Sequence, residues 1–243
     1  GNLAWLPDVA ADFDGRVRSG PNQVDVEGAL RGRDLEATFA LDIRRLAEAL
    51  PGYSGRVTGE GALVTTAAGP AIRFALSGRE IGADALGAAV VDTDLAGRVT
   101  IRDGAALASI ERASLALPPA GRWQLADGLD ARWAAGTLAL APHRWAGEFG
   151  MLEVDALAAA PASVDVEARL VDIPLEIAET WLPGNFRVTG VANAAIDLQR
   201  QGSDWSGTLS WRQDGTAVTV ADLNDETVTI RVPEAVADAT LAG

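Results

Sequence analysis

The chain has 243 residues, 34 acidic and 20 basic, and every basic residue is Arg, for a net charge of −14. Such a charge repels a phosphate backbone and leaves no basic footprint for nucleic acid; it equally disfavours adhesion to an anionic membrane surface through a basic patch. Cysteine is absent, which excludes disulfides and thiolate metal sites without fixing a compartment, and no apolar run approaches the roughly 18 residues that span a bilayer.

The opening Gly1-Asn2-Leu3-Ala4-Trp5 carries no basic region ahead of an apolar stretch, so no secretory signal is expected there. The chain reads as cytosolic or as an excised piece of a longer protein, and strand-like text that begins almost at once favours the piece.

Period-2 alternation then dominates. Val24, Val26, Gly28 and Leu30 alternate with Asp25, Glu27 and Ala29, and Leu35, Ala37, Phe39 and Leu41 alternate with Glu36, Thr38, Ala40 and Asp42. A short helix is predicted over Ile43–Leu50, with apolar positions at Ile43, Leu46, Ala47 and Leu50 and a Pro51-Gly52 stop. Strands resume at Ile72, Phe74 and Leu76, at Leu95, Gly97, Val99 and Ile101, and at Val164, Val166, Ala168 and Leu170. A second short helix is predicted over Leu175–Leu182 before Pro183-Gly184. Further strands carry Ala194, Ile196 and Leu198, then Trp205, Leu209 and Trp211, then Val228, Ile230 and Val232. Successive strand side chains point to opposite faces, so each stretch has one apolar and one polar face. Helices this short are marginal alone and are expected to pack an apolar stripe against a sheet.

Turns are expected at Ser19-Gly20-Pro21-Asn22, Ala68-Gly69-Pro70, Arg102-Asp103-Gly104, Pro118-Pro119-Ala120-Gly121, Gln201-Gly202-Ser203-Asp204 and Gln213-Asp214-Gly215. The spacing describes an antiparallel meander rather than βαβ crossovers. The fold class is all-β. Residues 155–163 form a weak seam inside one elongated segment covering 1–243, with units of about 1–160 and 161–243.

One stretch occurs twice. Leu41-Asp42-Ile43, a short Arg/Ala/Glu/Leu segment, Leu50-Pro51-Gly52 and Arg56-Val57-Thr58-Gly59 return as Val171-Asp172-Ile173, a Leu/Glu/Ile/Ala segment, Leu182-Pro183-Gly184 and Arg187-Val188-Thr189-Gly190, about 130 residues later. A recurring supersecondary unit points to a stacked, elongated architecture.

Chemistry is sparse. The single His, His143, sits beside Pro142 and Arg144 and reads as a surface residue, and no nucleophile elbow, P-loop or zinc motif is present. Gly59-Glu60-Gly61 resembles a fragment of a dinucleotide fingerprint, but it is expected to join two strands instead of opening a helix. The carboxylate pairs Asp12 and Asp14, Asp25 and Glu27, Asp92 and Asp94, and Asp165 and Glu167 share a strand face at i, i+2, the pattern of a solvated acidic face and also of a glycosidase dyad or a calcium site. Of the seven Trp, Trp205 and Trp211 share one strand face and Trp181 falls in the second repeat; they suit core packing or the rim of an apolar channel. No catalytic, metal or cofactor residue is assigned.

The repeat, followed by the strand Ala194-Ala195-Ile196-Asp197-Leu198 and by Gly207-Thr208-Leu209, resembles the TamB family, the inner-membrane-anchored periplasmic part of the translocation and assembly module, related to AsmA-like proteins. The likeness is one of motif over 35–66 and 164–211 and of texture over most of the chain, without the family's membrane anchor. It implies a long antiparallel sheet curled into a taco-like open groove, with two short helices and an aliphatic lining. It also implies a periplasmic place in a Gram-negative envelope, a role in phospholipid transport between the membranes or in outer-membrane protein assembly, and an Omp85-type (TamA-like) partner engaged by other parts of the full-length protein. On that reading the lipid-contacting residues are Val26, Leu30, Leu35, Phe39, Leu41, Ile72, Phe74, Leu76, Val99, Ile101, Val164, Val166, Leu170, Ile196, Leu198, Leu209, Val228 and Ile230, with phospholipid acyl chains as cargo and no cofactor. The alternatives are a scaffold that pairs with β-strands of barrel clients, and a carbohydrate-active β-solenoid enzyme.

Overall fold

Strands that are apolar on one side only, returned by short turns, can neither bury both faces nor cross over. They pair with their neighbours in sequence. A computed structural model describes residues 10–32, 34–66, 69–83, 90–118, 121–176, 179, 186–221 and 227–242, and these form such ladders. The chain divides into two compact units, Gly1–Ala135 and Gly136–Gly243.

The first unit carries β1 (Ala10–Ser19), β2 (Asn22–Arg31), β3 (Asp34–Ile43), α1 (Leu46–Ala49), β4 (Tyr53–Thr66), β5 (Gly69–Ala83), β6 (Val90–Arg102), β7 (Ala105–Leu117), β8 (Gly121–Leu125) and β9 (Leu129–Ala134). β1 to β7 pair antiparallel in sequence order. β7 then shares its far side, pairing β8 along Ser114–Leu117 and β9 along Ala106–Ile110. The β6–β7 turn is the expected Asp103-Gly104, both residues at positive φ (50° and 74°), as a tight hairpin of matching twist requires.

The second unit carries β10 (Thr137–Leu140), β11 (His143–Gly147), β12 (Gly150–Ala160), β13 (Ser163–Pro174), β14 (Phe186–Gln201), β15 (Asp204–Ala221) and β16 (Thr227–Ala242). β10 and β11 pair with different halves of β12, and β12 to β16 follow as a meander. Residues 155–163 lie inside this unit, in the β12–β13 hairpin. The all-β antiparallel class expected from the alternation describes both units. Among the described residues each shows three register shifts (near Ser54/Arg56, Gly78/Ile81 and Ala96/Gly97, and near Val154/Ala156, Leu170/Ile173 and Thr189/Val191), and such bulges bend and further twist the strands that carry them.

The structure departs from sequence-based expectation at five places. The first helix is a single turn, Leu46–Ala49, because Ile43 ends β3 and both Arg45 and Leu50 are extended. Asn22 holds Arg45 that way: its Nδ2 donates to the Arg45 carbonyl (3.1 Å) and its Oδ1 accepts the Arg45 N–H (3.0 Å). In the second, Leu175, Glu176 and Glu179 are in 3-10 rather than α conformation, and 177, 178 and 180–182 lie outside the described residues. Gly59-Glu60-Gly61 runs through the middle of β4 rather than joining strands. Gln213-Asp214-Gly215 is a bulge inside β15, not a turn, since both neighbours pair on either side of it. His143 is buried, not on the surface, with its Nδ1 2.8 Å from the Ala141 carbonyl and its ring edge-on to Trp145.

Burial is shallow. The buried apolar residues are mostly Ala, with Leu46, Leu129, Trp145, Val154 and Val188, and no large side chain is fully buried among the described residues. Among them, no helix is long and apolar enough to cross a membrane.

Candidate functional site

Register carries the alternation of each strand across the whole ladder. In the first unit Val26, Phe39 and Phe74 occupy one row with Gly15, Gly61, Gly97 and Ile110. The next row on that face holds Val24, Leu41, Gly59, Leu76 and Leu95. On the other side lies Leu63, Ile72 and Val99, with Leu30 opposite Leu35 and Ile101 beyond. All ten lipid-contact candidates of this unit share one face. The Phe39 ring fills the space that a Cβ on Gly61 would need, so glycine in that row lets an aromatic lie flat on the neighbouring backbone. These side chains are half-buried, except Ile101, which is exposed.

The second unit repeats the arrangement. Val166 faces Leu157 and Leu198; Ala168 faces Val154 and Ile196, and Ile196 faces Leu209; Leu170 faces Leu152 and Ala194. Val164 faces Arg200, while Val228 and Ile230 face Val220 and Val218 on the same side of β15 as Leu209 and Trp211. Thus the remaining eight candidates also share a face, with Leu209, Val228 and Ile230 the exposed ones. Sequence reasoning missed Leu152, Leu157, Trp145 and His143 on this face. Alternation fails in β12 because its bulge inserts one residue between Val154 and Ala156, and a one-residue slip exchanges the two faces.

Arg200 stands in the apolar row. Its guanidinium lies 5.6 Å from the Trp205 ring, its Nη2 donates to the Pro161 carbonyl (3.4 Å), and its buried Nε has no partner. Stacking on the indole substitutes for a carboxylate. Trp205 and Trp211 do share a face; Trp5 and Trp181 lie outside the described residues.

The opposite faces are polar. Across β1 to β7 one row reads Asp14, Glu27, Thr38, Ala62, Arg73, Arg98 and Ser109, and the next Arg16, Asp25, Ala40, Glu60, Ala75, Ala96 and Arg112. A recess of about 1170 Å³ crosses these strands. Its lining comes in neighbouring residues such as Asp25-Val26-Glu27, Thr38-Phe39-Ala40 and Arg73-Phe74-Ala75, and omits Leu41, Ile72 and Leu76. By alternation the walls are therefore polar-face side chains and the floor is backbone. The recess lies behind the apolar rows rather than along them.

In two of the carboxylate pairs, members are engaged by other groups. Asp25 accepts from Arg16 and Gln23, and these bonds hold its carboxyl below the usual range. Asp94 accepts from Ser77, Arg79 and Ser114, which lowers it likewise, with Ser77 the largest cause and Arg79 the next. Asp92 accepts the Glu80 N–H (2.7 Å). Arg169 bonds Asp155 and lies 3.6 Å from Glu153, so its guanidinium is held still more firmly protonated. Among the described residues no group of three His, Cys, Asp or Glu side chains could hold a metal ion. Comparison with family models, with curated proteins and with solved structures finds no match for the chain.

Proposed function

We propose that this chain is a periplasmic segment of a bridge-like protein of the TamB type, whose apolar strand faces carry phospholipid acyl chains between the membranes of a Gram-negative bacterium and so serve outer-membrane biogenesis. One observation carries the reading: in each unit the apolar side chains line up across successive strands on a single face, and no large side chain is fully buried among the described residues. Contiguous apolar faces that remain accessible mark interaction or ligand-binding surfaces. Each buried methylene is worth about 0.8 kcal/mol, so a sheet curled over an acyl chain could hold it by burial alone, with no catalytic group and no cofactor. The full-length parent would supply the membrane anchor and the contact with an Omp85-type partner.

Photocrosslinkers at Phe39, Phe74, Val166 and Ile196 should capture phospholipid, and native mass spectrometry of the purified chain should show it bound. Capture only from Glu36 and Asp165, on the polar faces, would sink the reading. A second reading, β-strand pairing with barrel clients, is favoured by the edge strand β16, where Val228, Ile230, Val236 and Leu241 are exposed; unpaired edges recruit strands. It requires client crosslinks from β16 and no co-purifying lipid.

A further inference from the structure

We propose that Arg73, Arg98 and Arg112, on the polar face of the first unit, form a binding site for a phosphate-bearing anion. Arg73 is directly opposite Arg98 across β5 and β6, and like charges at directly opposed positions destabilise a sheet. Arg112 is opposite Ala96, two residues from Arg98 on the same face, within diagonal reach of long side chains. The ladder neighbours are no help, because Arg73 faces Ala62 and Arg98 faces Ser109. Glu60 and Glu111 line the same recess, yet among the described residues none of the three guanidinium groups makes an ion pair or hydrogen bond. Asp94, the remaining nearby acid, is already engaged by Ser77, Arg79 and Ser114.

Elsewhere on this polar face Arg16 pairs with Asp25, Arg31 with Asp12 and Arg79 with Asp94, while Arg56 stands opposite Arg79. Three unmatched guanidinium groups in a chain of net charge −14 form a local exception to its field. Arg73 and Arg112 line the recess of about 1170 Å³, which leaves room for a ligand. Guanidinium forks match the oxygens of a phosphate, and charge-assisted bonds of this kind are the strong ones. A tetrahedral dianion or phosphodiester bridging the three would turn a repulsive cluster into a favourable one. The ligand class is a phosphate group, either free or on a lipid headgroup. The site lies on the face opposite the apolar rows, so it stands or falls separately from acyl-chain binding.

The test is calorimetric titration of the whole 243-residue chain with inorganic phosphate and, separately, with dihexanoyl-phosphatidylglycerol below its micellar concentration. Saturable binding is expected for at least one probe, and the tighter probe identifies the source. Arg98→Gln and Arg73→Gln should each weaken it about tenfold or more, while Arg231→Gln, an exposed arginine of the second unit, should leave it unchanged. Without ligand, Arg98→Gln should raise the thermal midpoint, because it removes the opposed charge. Absence of saturable binding, equal weakening by Arg231→Gln, or a lowered midpoint for Arg98→Gln would each overturn the proposal.

Discussion

The two copies of the repeated stretch share their letters and close in different ways. In the first, Asp42 and Gly59 lie in regular ladder, with Asp42 opposite Thr58 and Gly59 opposite Leu41 and Leu76. In the second, the aligned residues sit at irregularities: Asp172 has φ 56° where β13 slips against β14, and Gly190 has φ 131° where β14 slips against β15. The turn that follows the first strand is pinned by Asn22, reaching from β2 to the Arg45 backbone. Its counterpart is pinned from within, where the Glu179 carboxylate accepts the Val188 N–H at 2.8 Å. The same motif thus specifies strand, turn and strand, and its neighbours in space decide whether the ladder runs straight or bulges.

Neighbouring side chains account for much of the difference. Asn193 in β14 accepts the Asp172 N–H at 3.0 Å and holds the bulge; the aligned position of the first copy is Ala62, which has no such group. Gly190 is opposed by Thr216, whose Cα would lie 2.9 Å from a Cβ placed there, and Gly215 supplies the extra residue on β15.

The largest effect should come from the pin of the first copy. Asn22→Ala leaves two backbone groups of Arg45 without partners near a buried site, and the loss should be about 2–3 kcal/mol by denaturant unfolding; Glu179→Gln, which keeps an acceptor, should cost under about 1 kcal/mol. Equal losses would erase the distinction. Gly190→Ala adds a Cβ in a left-handed region and should destabilise by about 1–3 kcal/mol, with hydrogen exchange accelerated locally in β14 and β15.

A sharper discrimination uses opposite signs at aligned residues. Asp172→Gly relieves a positive φ and should stabilise by about 0.5–1 kcal/mol, whereas Asp42→Gly in regular strand should destabilise by about the same amount. Two changes of the same sign would refute the geometric difference. The smallest effect is a pH dependence. The bulge of β5 is held by carboxylates, with Asp92 on the Glu80 N–H and Asp94 on Arg79; the bulge of β13 is held by an amide. The Asp94 carboxyl is held below its ordinary 3.8, so its contribution is present above that value and is lost as pH falls through the lower folded one. Acidification below about pH 4 should therefore weaken the hold of Asp94 on Arg79, read as lower hydrogen-exchange protection factors around the β5 bulge, and spare the protection of Asp172. Asp94→Asn should remove that dependence.

The strands and their two faces were legible in the sequence because alternation is a property of each strand alone. Phe39, Phe74, Val166 and Ile196 fall on the apolar side wherever their strands pair, and Asp103-Gly104 makes its hairpin from its own backbone angles. Leu152 and Leu157 did not read that way, since a bulge breaks the period between them. His143 looked like a surface residue beside Pro142 and Arg144, and its burial comes from Trp145 and from β12, opposite which it lies at Val154.

Strand existence, turn chemistry and facial polarity were therefore determined by the sequence itself, through interactions between residues a few positions apart. Only tertiary structure decided the register shifts, the capture of Arg45 by Asn22, the stacking of Arg200 on Trp205 and the opposition of Arg73 to Arg98. Each depends on which residue of one strand stands across from which residue of another. Backbone ladders accept many such pairings, and the choice among them is made by the sum of contacts over whole faces.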